Sequence, residues 1–297
     1  MYFFTNYFSH TRLPSIVKVL LGIGLGLIPS LLSISFAHAS SSQRIVTLAP
    51  HATELLYSLG IGDRIVATVE YSDYPEQALS IPRLGRSDEV SIEAIVALQP
   101  DLVIAWEGGN SPELLDTLEQ LGIEVYRSDT QGLESVSRAL RNLGRLTGTQ
   151  KKADQLAREF LQRLSELTVE PIQDPPRVFF QLWESPLMTA NHSQPINDII
   201  ERCGGVNLFS RSLEVVPQTS VENVVLLNPD VILAPTQGLS GHWRQRWEAW
   251  QEIRAVQAGH LYTVDADLIS RPTLRILEGM EVVCRLLDRP AHTDTNS

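Results

Sequence analysis

Thr149-Gln-Lys-Lys-Ala-Asp-Gln-Leu-Ala-Arg-Glu-Phe-Leu-Gln-Arg-Leu-Ser-Glu-Leu167 carries the period that decides the fold. Ala153, Leu156, Ala157, Phe160, Leu161, Leu164 and Leu167 recur at helical spacing and form one apolar stripe. Lys151, Lys152, Asp154, Arg158, Glu159 and Arg163 fall mostly on the other face. Thr149 is placed to cap the start, and Pro171, Pro175 and Pro176 stop any continuation. Such a helix is long for a βα crossover and sits near the middle of the chain. It reads as a strut between two α/β lobes. The alternative is one more helix on a single large sheet.

Both flanks support the strut. On the N-terminal side, short apolar runs alternate with helical stretches: Arg44–Leu48, Arg64–Val69, Leu102–Trp106 and Glu124–Arg127 as strands, Thr53–Leu59, Ser91–Leu98, a helix opened by Ser111-Pro112, and Leu133–Leu146 as helices. On the other side, strands are expected at Arg177–Trp183, Val231–Ala234 and His260–Val264. Helices are expected at Ile196–Arg202, Ser220–Leu227 and Thr273–Leu287. Such β-α repetition means parallel sheets covered by helices. Trp243, Trp247 and Trp250 share a helical face and are expected to pack rather than bind.

One unit occurs twice. Ser91 to Ala105 reads S-I-E-A-I-V-A-L-Q-P-D-L-V-I-A, and Ser220 to Ala234 reads S-V-E-N-V-V-L-L-N-P-D-V-I-L-A. Each is a capped helix, a Pro-Asp turn and a buried strand. The repeat puts Glu93 and Glu222 at the same place in equivalent first turns. Each alone is explained by the helix dipole; as a pair they offer two carboxylates to one partner.

Residues 1–39 read as an export signal. Arg12 and Lys18 are their only charges, Val19–Phe36 is apolar, and Ala37-His38-Ala39 is a cleavage site. An uncleaved anchor is the alternative. Gly22, Gly24 and Gly26 mimic a nucleotide fingerprint but lie within this segment. Losing Arg12 and Lys18 leaves 22 of the 24 basic residues against all 35 acidic ones, a net charge of −13. That balance argues against nucleic acid and anionic membrane surfaces. Cys203 and Cys284 are expected to form one disulfide in an oxidising compartment, with two buried thiols as the alternative.

Ligands of such sheets sit beyond the carboxyl ends of the strands. The loops there are Ala49–His51, Glu70–Tyr74, Trp106–Asn110 (read as flexible), Trp183–His192 and Asp265–Arg271. They supply Tyr71, Tyr74, Trp106 and Trp183 with Asp267 and Arg271, a mix suited to a large, flat, amphipathic ligand. His51 reads either as loop surface or as an axial ligand to a bound metal complex. His51 with Glu54 also permits a metal-dependent hydrolase, although no G-x-S-x-G, H-E-x-x-H or P-loop motif is present.

The segments Arg44-Ile-Val-Thr-Leu-Ala-Pro-His-Ala-Thr-Glu-Leu-Leu, Tyr71-Ser-Asp-Tyr-Pro, Ile95 through Trp106-Glu-Gly-Gly-Asn, and Cys203-Gly-Gly-Val-Asn-Leu-Phe resemble the periplasmic vitamin B12-binding proteins of the helical-backbone class. The resemblance runs from Arg44 to about Leu287, and Arg271-Pro272 with Arg275 is shared with the wider siderophore and haem binders. It implies an α/β fold of two Rossmann-like lobes with parallel sheets, joined by a single long rigid α-helix. The expected organisation is a signal at 1–39, a lobe at 40–148, the linking helix at 149–170, a second lobe at 171–290 and a tail at 291–297. The implied function is non-enzymatic: a periplasmic monomer captures cobalamin or another corrinoid in the cleft and delivers it to an inner-membrane ABC permease, with no resident cofactor or metal. An iron-siderophore or haem receptor is the alternative, with Tyr71 as the metal ligand. The family pattern assigns cleft roles to Pro50, Tyr71, Trp106 and Asp267, docking roles to Glu93 and Glu222, and a disulfide to Cys203 and Cys284; His51, Trp183 and Arg271 join the expected ligand-binding set. Ser87, Val216 and Met188 stand where the family has aromatic residues, and Trp183 where it has a small one.

Overall fold

A computed structural model describes residues 43–288; the expected signal at 1–39 and tail at 291–297 lie outside them. The first lobe runs β1 (Ile45–Thr47), α1 (Pro50–Ser58), β2 (Ile65–Ala67), α2 (Ile92–Ala97), β3 (Leu102–Trp106), α3 (Pro112–Gln120), β4 (Glu124–Ser128) and α4 (Ser135–Thr147). The linking helix is α5 (Gln150–Leu167). The second lobe runs β5 (Arg177–Phe180), α6 (Pro195–Arg202), β6 (Val206–Asn207), α7 (Val221–Leu227), β7 (Val231–Pro235), α8 (Trp243–Glu248), α9 (Arg254–Gln257), β8 (Leu261–Val264), α10 (Ala266–Ser270) and α11 (Ile276–Leu287). The strands form two four-stranded sheets, ordered β2-β1-β3-β4 and β6-β5-β7-β8. Every pairing is parallel. Two such sheets exclude the single-sheet alternative.

The repeat seen in the sequence is a repeat in space. Ser91 Oγ accepts from the Ala94 N–H at 3.1 Å, and Ser220 Oγ from the Asn223 N–H at 3.2 Å. The turn aspartates then tie each central strand to its neighbour. Asp101 accepts from the Arg44 N–H at 2.7 Å and Asp230 from the Arg177 N–H at 2.9 Å. Beyond the strands the match continues: the Leu48 N–H reaches Ile104 O and the Gln181 N–H reaches Leu233 O, both at 2.8 Å. These pairings make β1 the counterpart of β5 and β3 the counterpart of β7.

The stripe on α5 is buried as its spacing requires. Ala153, Ala157, Phe160 and Leu164 are buried, Leu156, Leu161 and Leu167 are half-buried, and the charged face is exposed. Eighteen residues make a rod of about 27 Å. Thr149 holds the N-cap position without capping, because its hydroxyl pairs with Thr147 Oγ1 at 2.9 Å instead. Left-handed Gly148 ends α4 (φ 73°) and turns the chain directly into α5. The two helices then pack so closely that a Cβ on Gly144 would sit 2.4 Å from the Ala153 Cβ.

One apolar core spans both lobes. It runs from Ile45, Leu56 and Leu102 through Leu140, Ala157 and Phe160 to Ile199, Met280 and Val283. Separate clusters lie on the outer face of each sheet. In the second of these, Trp243 and Trp247 are buried; the Trp247 indole N–H donates to Gln181 Oε1 at 2.6 Å and its ring meets Phe179 edge-on. The tryptophan stripe therefore packs.

Cys203, at the end of α6, is bonded to Cys284 on α11 across a sequence separation of 81. Closing a loop of that length restricts the unfolded chain and stabilises the fold by about 4 kcal/mol on the loop-entropy view. Replacing both cysteines by serine should lower the unfolding free energy in urea by roughly that amount. An unchanged midpoint would mean that α6 and α11 hold together without the bridge.

Candidate functional site

The carboxyl ends of the two sheets carry loops that meet across the molecule. From the first lobe, α1 presents Glu54, which is only 3% exposed. Both its oxygens are taken by the second lobe: Thr273 Oγ1 donates to Oε1 at 2.6 Å, Arg275 Nε donates to Oε1 at 2.8 Å and Arg275 Nη2 to Oε2 at 2.9 Å. The Arg275 guanidinium also lies 3.6 Å from the ring centroid of Tyr74, a cation–π contact from the same lobe-to-lobe junction. Counted from Thr53, where the sequence predicts the helix to start, Glu54 is a first-turn carboxylate. Because the helix begins at Pro50, Glu54 lies beyond its first turn and is fully engaged, which leaves it no role as a base or metal ligand.

A second junction lies beside the first. Arg271 bridges Asp73 at 2.7 Å and Asp267 at 3.0 Å. Burial resists ionisation of Asp73, but the hydrogen bond and charge of Arg271 outweigh it, and the Asp73 pKa lies below its ordinary value. Asp267 is pushed the other way, first by burial and then by the neighbouring Asp73 and Asp265, against the pull of Arg271. Asp267 and Arg271 were expected in a loop; five residues of it form α10, opened by the Asp265 carboxylate accepting from the Asp267 N–H at 2.9 Å. That turn fixes both side chains.

Pro50 and His51 are not loop residues either. Pro50 starts α1, where a missing N–H costs nothing. His51 is 5% exposed and edge-on to Trp106, with ring centroids 6.0 Å apart. Its Nε2 has no hydrogen-bond partner among the described residues. Burial, and then the Arg271 charge, lower its pKa to about 4. The imidazole is thus neutral at ordinary pH.

Trp106 ends β3 and is half-buried; its indole N–H donates to Thr130 Oγ1 at 3.2 Å. The following loop, read as flexible, is held by Asn110. Its Oδ1 accepts from the Trp106 N–H at 2.7 Å, and its Nδ2 donates to Leu48 O at 3.1 Å and Ser87 O at 2.8 Å. Tyr71 stands on a left-handed backbone (φ 63°) and is 70% exposed. A bulky residue in that conformation is strained, and such strain concentrates at binding sites. Beneath it, Thr47, Thr53, Thr68 and Ser72 share buried hydroxyl hydrogen bonds of 2.6–2.8 Å that anchor the Tyr71 loop to β1 and α1. Trp183, expected to close β5, lies three residues beyond it and is 47% exposed.

His51, Trp106, Asp267 and Arg271 are therefore drawn together at the junction, with Pro50 at the start of the same helix as His51; Tyr71 stands exposed two residues before Asp73, and Trp183 sits at the matching end of the second sheet. Glu93 and Glu222 are both exposed in the first turns of α2 and α7. The Glu222 pKa is lowered by its own backbone N–H and by Ser220.

The family model described as periplasmic binding protein matches residues 45–268. This chain belongs to the periplasmic binding protein family. A protein of Vibrio cholerae serotype O1 named vitamin B12-binding protein is 38% identical over 275 residues, covering 92% of this chain and 97% of that protein. The crystal structure of the periplasmic vitamin B12 binding protein BtuF of Vibrio cholerae matches with a TM-score of 0.74 at 38% identity, over 82% of this chain and 96% of that one. The periplasmic haem-binding protein HutB of the same organism superposes with a TM-score of 0.73 at 22% identity, which shows a shared fold. Members of this family bind rather than catalyse. Among the described residues no helix is long and apolar enough to cross a membrane.

His51 makes stability depend on pH. In the unfolded chain imidazole takes up a proton near pH 6.5; in the fold it resists until about pH 4. Its folded pKa is depressed, so the stability it contributes is whole above pH 6.5 and is lost as pH falls towards 4. Between pH 7 and pH 5 the loss is about 2 kcal/mol. Urea unfolding of the wild type at those two pH values should show that extra loss relative to His51→Phe. Parallel pH dependences in the two proteins would place His51 in water.

Proposed function

We propose that this chain is exported to the periplasm by residues 1–39, captures cobalamin or a related corrinoid between its lobes as a monomer, and delivers it to an inner-membrane ABC permease. The observation that carries the reading is the junction of fixed polar groups at the carboxyl ends of the two sheets, where Tyr71, Trp106 and Trp183 stand at least partly exposed, in a chain similar over almost its whole length to proteins named vitamin B12-binding. A corrinoid is a broad macrocycle with an apolar face and a fringe of amides. Aromatic faces suit the first, and Asp267, Arg271 and the helix start at Pro50 suit the second. Neutral His51 backs Trp106 edge-on without adding charge. Glu93 and Glu222, one per lobe and both exposed, suit basic sockets on a two-fold permease.

Calorimetric titration of the mature chain from Ser40 with cyanocobalamin and dicyanocobinamide should give one-to-one binding, with the ratio of affinities reporting whether the lower base is recognised. Glu93→Ala with Glu222→Ala should leave that affinity unchanged and abolish corrinoid uptake in cells that depend on this protein. Absence of heat with either corrinoid, together with a Soret band on adding hemin, would replace the corrinoid by haem. A fall in corrinoid affinity in the double variant would put the two glutamates in the cleft instead of at the membrane.

A further inference from the structure

Two tryptophans in this protein rest on glycine, one in each lobe. A Cβ on Gly109 would lie 1.9 Å from Trp106 Cε3 and 2.2 Å from Cδ2, so the indole is seated on the Gly109 backbone. A Cβ on Gly238 would lie 2.6 Å from Trp183 Cζ3 and 2.9 Å from Cε3. The two glycines are equivalent in the internal repeat, each eighteen residues beyond its capping serine, Ser91 or Ser220. The tryptophans arrive differently. Trp106 ends β3 itself, whereas Trp183 comes from beyond the neighbouring β5, at the position that Pro50 holds beyond β1. The second lobe has thus reached the same aromatic-on-glycine arrangement from a different strand.

The seat at Gly238 serves no packing need of the fold. Gly238 covers the indole on one side, yet 47% of Trp183 remains exposed. Its indole N–H is satisfied by Ser185 O at 3.2 Å, and its backbone is bridged to Met188. Gly238 is left-handed (φ 79°), so no other residue is readily accommodated beneath the ring. A large apolar ring, held in a fixed orientation and left in water at the carboxyl end of a parallel sheet, is a surface prepared for something flat.

We propose that Trp183, seated on Gly238, is the second lobe's stacking platform for the ligand, the counterpart of Trp106 seated on Gly109, and that it selects for a planar macrocycle face. This rests on the reading of the junction as a binding cleft; it adds the Gly238 seat that sets the orientation of the Trp183 ring and the demand for a flat face. The requirement is for a flat ring and not for apolar area in general.

The test is calorimetry on the wild type, Trp183→Phe and Trp183→Leu, each titrated separately with dicyanocobinamide and with hemin, with thermal melts to confirm equal folding. Leucine keeps apolar area but has no planar face. The expected result is cobinamide binding weakened about ten-fold in Trp183→Leu and largely restored in Trp183→Phe. If Trp183→Leu binds cobinamide as the wild type does, the platform is overturned and the corrinoid reading stands. If only hemin binds, with the same order of variants, the corrinoid reading falls and the platform stands. If the wild type binds neither macrocycle, both are overturned.

Discussion

The carboxylate of Glu54 holds this molecule in one shape. It leaves the first lobe, is buried in the second, and receives three hydrogen bonds from Thr273 and Arg275, residues about 220 positions away in the chain. A carboxylate taken from water without partners would cost several kcal/mol. Here the fork of the guanidinium matches both oxygens, so burial is tolerable only when the lobes are in register. Removing one partner from such a pair typically costs about 3–5 kcal/mol, whereas an exposed ion pair is worth less than about 1 kcal/mol. The junction therefore acts mainly as a constraint on geometry: an opened cleft would strand Glu54 or Arg275.

Other features reinforce the same constraint. The apolar core is continuous through α5, so the lobes share an interior as well as a connection. Asp73 and Arg271 pair beside Glu54, and on the α4–α6 side Asp198 accepts from the Leu133 N–H at 2.7 Å while Arg202 reaches Glu134. A binding protein whose walls are set before its ligand arrives gains affinity by preorganisation, because little ordering entropy opposes capture.

Periodicity made the frame legible. Seven apolar residues at helical spacing name α5, and two copies of a Ser-capped helix followed by Pro-Asp name equivalent units, because capping, turn and burial are local effects. The junction was harder to read. Nothing within four residues of Glu54 indicates Arg275, and a helix of five residues such as α10 is too short to show a period. Pro50 was read as loop because proline ends helices more visibly than it starts them, although the first helical position is where it fits. The two tryptophans were legible as aromatic loop residues. Their glycine seats were not, since Gly238 lies 55 positions from Trp183 and their meeting depends on which strands lie side by side.

The central claim is that the cleft exists before the ligand and is kept by the Glu54 junction. Small-angle X-ray scattering of the mature chain, wild type and Glu54→Ala, each with and without saturating dicyanocobinamide, tests it most directly. The account predicts a wild-type radius of gyration that does not change on adding ligand, and a Glu54→Ala variant that is larger alone and contracts when ligand is added. A wild type that itself contracts on binding would contradict the account, because the lobes would then close by a hinge that the junction is supposed to forbid.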